Sequence, residues 1–383
     1  MAVKENVFRK VVKHKTTKLE KQKSKNLKAT NSQRPSIMGS RISTPTVNNT
    51  QQACLLQPAM DGDLEKVKQL IGVFLASISY TNVGFIIPPD PKLRDYVNIN
   101  QVDSQGNTAM HCAVFAGHID ICQYLHESCG ASLHQPNTLG CSPVWLAAAY
   151  NRINVLDYIL TKCSNPKEEL QQTNHNGDTC MIAAASRGNI EACQILIQKA
   201  ILLDFLIPLM DTTNQGGDTP LSVAIAGNHS ILLNLLLQHT STVVINQPNR
   251  KGVTPLLIAC ERDDVTACQQ LLQFGAMLDV IDTVTGASPL AVAAFCGSDQ
   301  VMDILLQADT TLQHLEQSNY NACTPLWLAT RAGRDKIVKR LLDAGADPLK
   351  KNKNGLSAID VAIKFKRESI SDLFNHYTIT SNA

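Results

Sequence analysis

The chain has 383 residues, 44% of them apolar, 18% charged and 5% aromatic, with a mean hydropathy near zero. That balance is too apolar for a wholly disordered chain and too evenly polar for a membrane protein, so a substantial buried core is expected. The net charge of +2 conceals an asymmetry, because residues 1–41 hold 12 Lys/Arg against Glu5 and Glu20, while the remainder holds 23 basic and 31 acidic residues, a net of −8.

In chain order, the first element is a basic arm, dense in lysine from Lys4 to Lys28 with Arg9 among them. Phe8 is its only aromatic, and Ser, Thr and Asn are plentiful, so residues 1–50 read as disordered. Three roles stay open for it: a nuclear import signal, a nonspecific grip on nucleic acid or anionic lipid, or a solvated tail. No secretory leader stands here, and no run of about 18 uncharged apolar residues occurs, so no transmembrane segment is expected.

Residues 55–71 then read as a helix pair, and residues 72–97, containing Phe85-Ile86-Ile87-Pro88-Pro89, lengthen the junction after it. From Thr108 the chain is periodic. Thr108, Ser142, Thr179, Thr219, Thr254, Ser288, Thr324 and Ser357 recur at spacings of 34, 37, 40, 35, 34, 36 and 33. Five residues after each hydroxyl stands an alanine, from Ala113 to Ala362 in all eight copies. Two residues before it stands a glycine, with Ala322 the one exception. Glycine suits a turn at positive φ, the hydroxyl suits a helix N-cap, and Pro143, Pro220, Pro255, Pro289 and Pro325 suit the first helical position. A second turn, as in Ala116-Gly117-His118, precedes a second apolar-periodic helix.

Gly-Asp-Thr-Pro-Leu at 217–221, Gly-Val-Thr-Pro-Leu at 252–256 and Ala-Gly-Ala-Asp-Pro at 344–348 resemble the opening and closing motifs of the ankyrin repeat. The resemblance implies an all-α ankyrin-repeat solenoid of helix-turn-helix units joined by β-hairpin-like loops. It spans residues 51–376 as eight clear repeats and a degenerate first one, ending near His376 before a frayed tail at 377–383. The motif's histidine survives only at His111, replaced elsewhere by Trp145, Ile182, Ser222, Leu257, Ala291, Trp327 and Asp360, which leaves the inter-repeat hydrogen bond it normally supplies open.

Cys122, Cys193 and Cys268 share a column with Leu156, Leu233, Met302 and Val338, so cysteine is read as a small buried hydrophobe in a reduced, cytoplasmic or nuclear compartment. The stretch 199–213 is a second insertion, within which Ala200 to Met210 is an almost unbroken apolar run interrupted by Asp204. It is read as a prolonged second helix folding back, with an exposed apolar patch as the alternative.

Helix pairs of this length bury their apolar stripe only by stacking, which leaves an extended surface suited to a protein partner and no place for a catalytic domain. On the first helices, Phe115, Tyr150, Arg187, Glu261, Arg262, Phe295, Arg331 and Phe365 are expected on a concave face, aromatic and arginine side chains being frequent hot spots. The hairpin tips Gln105, Asn107, Asn176, Asp178, Lys251 and Asn321 form the second candidate set. Phosphate loops, His-Glu-x-x-His and paired Cys-x-x-Cys motifs are absent from the sequence. The expected function is therefore a monomeric scaffold or adaptor without cofactor or metal. Its alternatives are an enzyme or enzyme regulatory subunit with its site in the insertions, or a secreted microbial effector acting on host proteins.

Overall fold

Every first helix begins on a hydroxyl. Thr108, Ser142, Thr179, Thr219, Thr254, Ser288, Thr324 and Ser357 each accept the backbone N–H three residues on, satisfying a donor that the helix itself leaves unpaired. Each such cap contributes about 1 kcal/mol. The five prolines all occupy the first turn, where a missing N–H costs nothing. The expected order of turn, cap and helix start is what the chain does.

The computed structural model describes residues 55–78 and 99–380; the basic arm and most of the 72–97 insertion lie outside the described residues. Helix pairs follow one another along the chain. The first three are α1 and α2 (Leu56–Asp61, Leu64–Ile78), α3 and α4 (Ala109–Ala116, Ile119–Gln123) and α5 and α6 (Pro143–Ala149, Ile153–Lys162), with a π-helical turn, Tyr124–Ser128, prolonging α4. A short α7 (Pro166–Gln171) precedes α8 and α9 (Cys180–Arg187, Ile190–Leu202), and α10 (Leu206–Met210) precedes α11 and α12 (Pro220–Ala226, Ser230–Leu237). After α13 (Thr242–Ile245) come α14 and α15 (Pro255–Arg262, Val265–Gln273), α16 and α17 (Pro289–Cys296, Asp299–Ala308), α18 and α19 (Pro325–Ala332, Asp335–Asp343), and α20 and α21 (Ala358–Lys364, Glu368–Thr380). Helix α21 runs four residues past the end at His376 that the sequence pattern suggests, because neither Gly nor Pro interrupts it there.

First helices pack on first helices in chain order, from α1 through α20, and second helices form a second row. Among the described residues no strand forms, and the one β-type pairing is a bridge from Thr173 to Thr179. The fold is an all-α ankyrin solenoid. Its core is continuous along the stack: Ala113, Ala147, Ala184, Ala224, Ala259, Ala293, Ala329 and Ala362 are all fully buried where adjacent first helices approach. The cysteine column behaves as its neighbours do, Cys122, Cys193 and Cys268 being as buried as Leu156, Met302 and Val338. Burial pushes the thiols of Cys122 and Cys193 up to about 12, which suits inert core packing.

Between repeats the hairpin tips are joined by a ladder of backbone bonds. Thr138 N donates to Gln105 O, His175 N to Leu139 O, Gln215 N to Asn176 O, Arg250 N to Gly216 O, Tyr320 N to Thr285 O and Lys353 N to Asn321 O, all within 3.0 Å. Inside each hairpin an Asn or Asp side chain closes the turn, so that Asn137 Oδ1, for example, accepts the N–H groups of both Leu139 and Cys141. The same arrangement recurs at Asp103, Asn174, Asn214, Asn249, Asp282, Asn319 and Asn352.

The first helices end on residues at positive φ, from Gly62 to Lys366. Their last carbonyls are completed from the following repeat. Arg152 Nε donates to Phe115 O at 2.8 Å, Asn189 Nδ2 to Ala148 O and Ala149 O at 2.9 Å, Ser298 Oγ to Cys260 O at 2.9 Å, and Arg367 Nη2 to Arg331 O at 3.2 Å. His118 and His229 set their Nε2 against Met60 O and Ser186 O in the same way. Space for these side chains is why a glycine stands beneath them: a Cβ on Gly188, whose φ is +72°, would meet the His229 ring at 2.5 Å.

The second insertion holds both expected readings at once. Helix α9 is prolonged to Leu202, the chain turns back at Asp204 with φ of 50°, and Phe205, Leu209 and Met210 pack inward. Leu202 and Ile207 nevertheless stay 80% and 69% exposed.

Candidate partner-binding surface

The row of first-helix ends carries two groups of aromatic and arginine side chains. In the first, Phe115 at the end of α3 meets Tyr150, just past α5, edge-to-face with ring centroids 4.5 Å apart. Arg187, on the last turn of α8, lies over the Tyr150 ring at 5.0 Å and over the Trp145 ring at 5.5 Å. Three consecutive repeats thus contribute to one cluster. Burial lifts the Tyr150 phenol above its usual value, while the neighbouring Arg187 draws it down. In the second group Arg331 on α18 lies over its own Trp327 at 5.6 Å and over Phe365 of the next repeat at 5.8 Å. Such contacts contribute about 0.5–2 kcal/mol each, according to how far water is excluded.

The remaining first-helix candidates stand in solvent: Phe295 is 44% exposed, as is Phe365 despite its contact with Arg331, and Glu261 and Arg262 at the end of α14 are exposed as well. A solvated phenyl ring of this kind gains by being covered, about 25 cal/mol per Å2 of apolar surface.

The hairpin candidates divide. Asn176, Lys251 and Asn321 present exposed side chains, and the backbone carbonyls of Gln105, Asn176 and Asn321 are committed to the inter-repeat ladder. Asn107, a candidate tip, is not presented to a partner. It is fully buried, its amide donates to Asp103 Oδ2, and its carbonyl accepts from Asn137 Nδ2 across the repeat boundary at 2.8 Å. Asp178 is similarly engaged, its Oδ1 accepting from Asn214 Nδ2 at 3.1 Å. Both are structural tips, polar because the hairpin needs acceptors rather than because water bathes them.

The histidine column also resolves. Trp145 Nε1 donates to Asp178 O at 3.0 Å and Trp327 Nε1 to Leu356 O at 3.1 Å, so the indole makes an inter-repeat bond from the histidine's position. His111 itself is buried and forms a capping box with Thr108.

Depressions of about 420 Å3 beside His314 and about 340 Å3 beside Tyr158 lie away from every one of these candidates. Among the described residues no set of three His, Cys, Asp or Glu side chains is assembled to hold a metal, and no helix is long and apolar enough to cross a membrane.

Stacked helix pairs joined by laddered hairpins, with aromatic and arginine side chains along one row, define a helical-repeat protein. The description "Ankyrin repeats (3 copies)" matches residues 53–169, 146–247 and 232–314, and "Ankyrin repeat" matches 321–353. The chain belongs to the ankyrin-repeat family. The crystal structure of the human ASB11 ankyrin repeat domain aligns over 67% of this chain and 98% of its own, with a TM-score of 0.50 and 22% identity. Human Transient receptor potential cation channel subfamily A member 1 is 29% identical over 212 residues, 54% of this chain and 18% of that protein. Human NF-kappa-B inhibitor zeta is 24% identical over 257 residues, 65% of this chain and 34% of that protein. The chain thus spans about a third or less of the length of these two relatives.

Proposed function

We propose that this chain is an interaction scaffold or adaptor, without chemistry of its own, that binds another protein through its first-helix row and exposed hairpin tips. The observation that carries the reading is the run of Phe115, Tyr150 and Arg187 on three successive repeats, with exposed Phe295 and Phe365 continuing the row. Ankyrin repeats generally mediate protein–protein interaction, and one relative, NF-kappa-B inhibitor zeta, is named for inhibiting another protein. We place the chain in the cytosol, with the basic arm serving nuclear entry.

Affinity purification of the full chain from native cells, followed by the same experiment with Phe115, Tyr150 and Phe295 all replaced by Ala, tests the binding surface. The triple variant is expected to lose the co-purifying partner while its melting temperature stays within a few degrees. Retention of the partner at unaltered affinity per folded molecule would overturn the assignment. Tagged chains with and without residues 1–41 test the compartment, and an identical distribution removes the import role.

A further inference from the structure

Ile363 departs from the burial of every residue that shares its column. Six places after the capping hydroxyl, the seven preceding clear repeats hold residues, from Val114 to Thr330, that are at most 1% exposed where successive first helices pack together. Two places after the hydroxyl, the same seven repeats hold residues, from Met110 to Leu326, that are at most 3% exposed. In the last described repeat these two columns hold Ile359 and Ile363; Ile359 is half-buried and Ile363 is 67% exposed. Standing four apart on α20, the two isoleucines line a single stripe of that helix.

The second-helix row closes differently at this end. Ser371 stands in the column that holds Leu156, Met302 and Val338 in earlier repeats, and its hydroxyl is satisfied by donating to Arg367 O at 3.0 Å. Asn375, one turn further along α21, is exposed. A further helix pair of the same kind would meet polar side chains with its second helix and an apolar stripe with its first. The end therefore offers a seat for one helix and not for two.

Charge selects which helix. Residues 350–367 hold Lys350, Lys351, Lys353, Lys364, Lys366 and Arg367 against Asp360 alone, a net of +5, on a body that is net −8 over residues 42–383. Asp360 is already engaged: its carboxylate accepts the N–H and the hydroxyl of Ser357 at 2.8 and 2.7 Å, bonds that hold it below its usual pKa with Lys351 adding to the pull. Lys350 pairs with Glu316 at 3.3 Å, and Arg367 donates to Arg331 O. Lys351, Lys353, Lys364 and Lys366 are exposed and, among the described residues, form no ion pair within 4.0 Å. Lys351 acts at the start of α20 and Lys364 and Lys366 stand at its end, so the isoleucine stripe runs between cations. The basic arm, net +10 over residues 1–41, has the wrong sign for this seat.

We propose that the C-terminal end of the described stack is a second docking site, separate from the first-helix row, for a single acidic amphipathic helix of a partner protein. That helix lies along α20, with apolar side chains on Ile359 and Ile363 and carboxylates towards Lys351, Lys364 and Lys366. An anionic membrane has the same sign of charge, but the two columns are those that meet another helix at every earlier step of the stack.

The test uses the full chain and a fluorescein-labelled peptide of about 18 residues, long enough to form a helix, with Leu and Ala at helical spacing and Glu elsewhere. A scrambled peptide of the same composition, a Lys-for-Glu counterpart and phosphatidylserine vesicles serve as comparisons. The amphipathic Glu peptide is expected to bind at least about tenfold more tightly than its scramble, to gain helical circular dichroism on binding, and to weaken as salt is raised. Ile363→Gln is expected to weaken binding about tenfold, the effect of uncovering one apolar side chain. Lys364→Gln combined with Lys366→Gln should flatten the salt dependence, and both sets of changes should leave the urea midpoint where it was, since the side chains are exposed. The Phe115, Tyr150 and Phe295 triple variant should bind this peptide as the parent does, which separates the site from the first-helix row. The assignment is overturned if the Glu peptide does not bind, if the scramble or the Lys peptide binds as tightly, if Ile363→Gln binds as the parent does, or if the vesicles capture the chain and displace the peptide. Should sedimentation show the chain pairing with itself through a contact that Ile363→Gln breaks, the occupant is a second copy and the acidic-helix assignment falls.

Discussion

Trp145 and Asp178 are joined across a repeat boundary by an indole-to-carbonyl hydrogen bond of 3.0 Å. The tryptophan stands where the repeat motif has histidine, yet it packs its ring in the core and still reaches the next hairpin. Trp145→Phe keeps most of the apolar contact but removes the donor. We expect a loss of about 2–4 kcal/mol, combining a small cavity with an unpaired carbonyl. Urea unfolding measures it, Trp327→Phe should behave alike, and a loss below about 0.5 kcal/mol in both would show that the bond is immaterial.

His111 makes folding sensitive to acid. Burial pulls its pKa from 6.5 down to about 4, against the pull of nearby carbonyls and Asp103. Its Nδ1 accepts the Thr108 N–H at 3.2 Å, a bond only the neutral ring can make. Between pH 6.5 and 4 the unfolded chain takes up a proton that the native state refuses. Stability from this residue is therefore complete above pH 6.5 and falls as pH drops towards 4, by about 3 kcal/mol at most. The difference in unfolding free energy between parent and His111→Asn, followed from pH 7 to pH 4, should shrink; a constant difference would refute it.

Ala322 occupies the turn position held by glycine in the other seven clear repeats, at φ of 57°. A Cβ there is strained by about 1–2 kcal/mol, partly offset by the lower entropy of an unfolded alanine. Ala322→Gly is accordingly expected to stabilise the chain by about 0.5–1 kcal/mol, read as a rise in melting temperature. A lowered melting temperature would show that the Ala322 methyl makes a compensating contact.

Asn137 satisfies three partners at once: the N–H groups of Leu139 and Cys141, and the side-chain carbonyl of Asn107. Asn137→Ala strands all three near a buried boundary and should cost about 2–4 kcal/mol. Asn137→Asp keeps both acceptor bonds and loses only the donation to Asn107, so it should fall between the two. Equal stability of the Ala and Asp variants would mean that the turn does not depend on this side chain.

The repeat register was legible because its signals are local. Gly106 with Thr108, and Gly217 with Thr219 and Pro220, pair a turn with a cap and a helix start whatever surrounds them. The cysteine column could be read because Leu156 and Met302 share it. The Asn and Asp turn column was equally regular, three or four residues before each glycine or Ala322, but that Asn107 just after Gly106 folds inward to meet Asp103 and Asn137 is a contact spacing does not report. Long-range partners were less accessible. That Arg152 reaches Phe115 O and Asn189 reaches Ala148 O follows from how one repeat leans on the last, and spacing alone does not report it. The approach of Arg187 to the Trp145 ring was hidden for the same reason.

The carbonyls that close most of the first helices find side-chain donors in the repeat that comes after. Arg152 serves α3, Asn189 serves α5 and Arg367 serves α18, always reaching backwards along the chain. For these helix ends dependence runs one way: a module shorn of its C-terminal neighbour has a ragged helix end, whereas one shorn of its N-terminal neighbour keeps that end and loses instead the acceptor of its hairpin N–H. During synthesis each unit waits for its successor to be finished, and trimming the array from its C-terminal side undoes more than the residues removed.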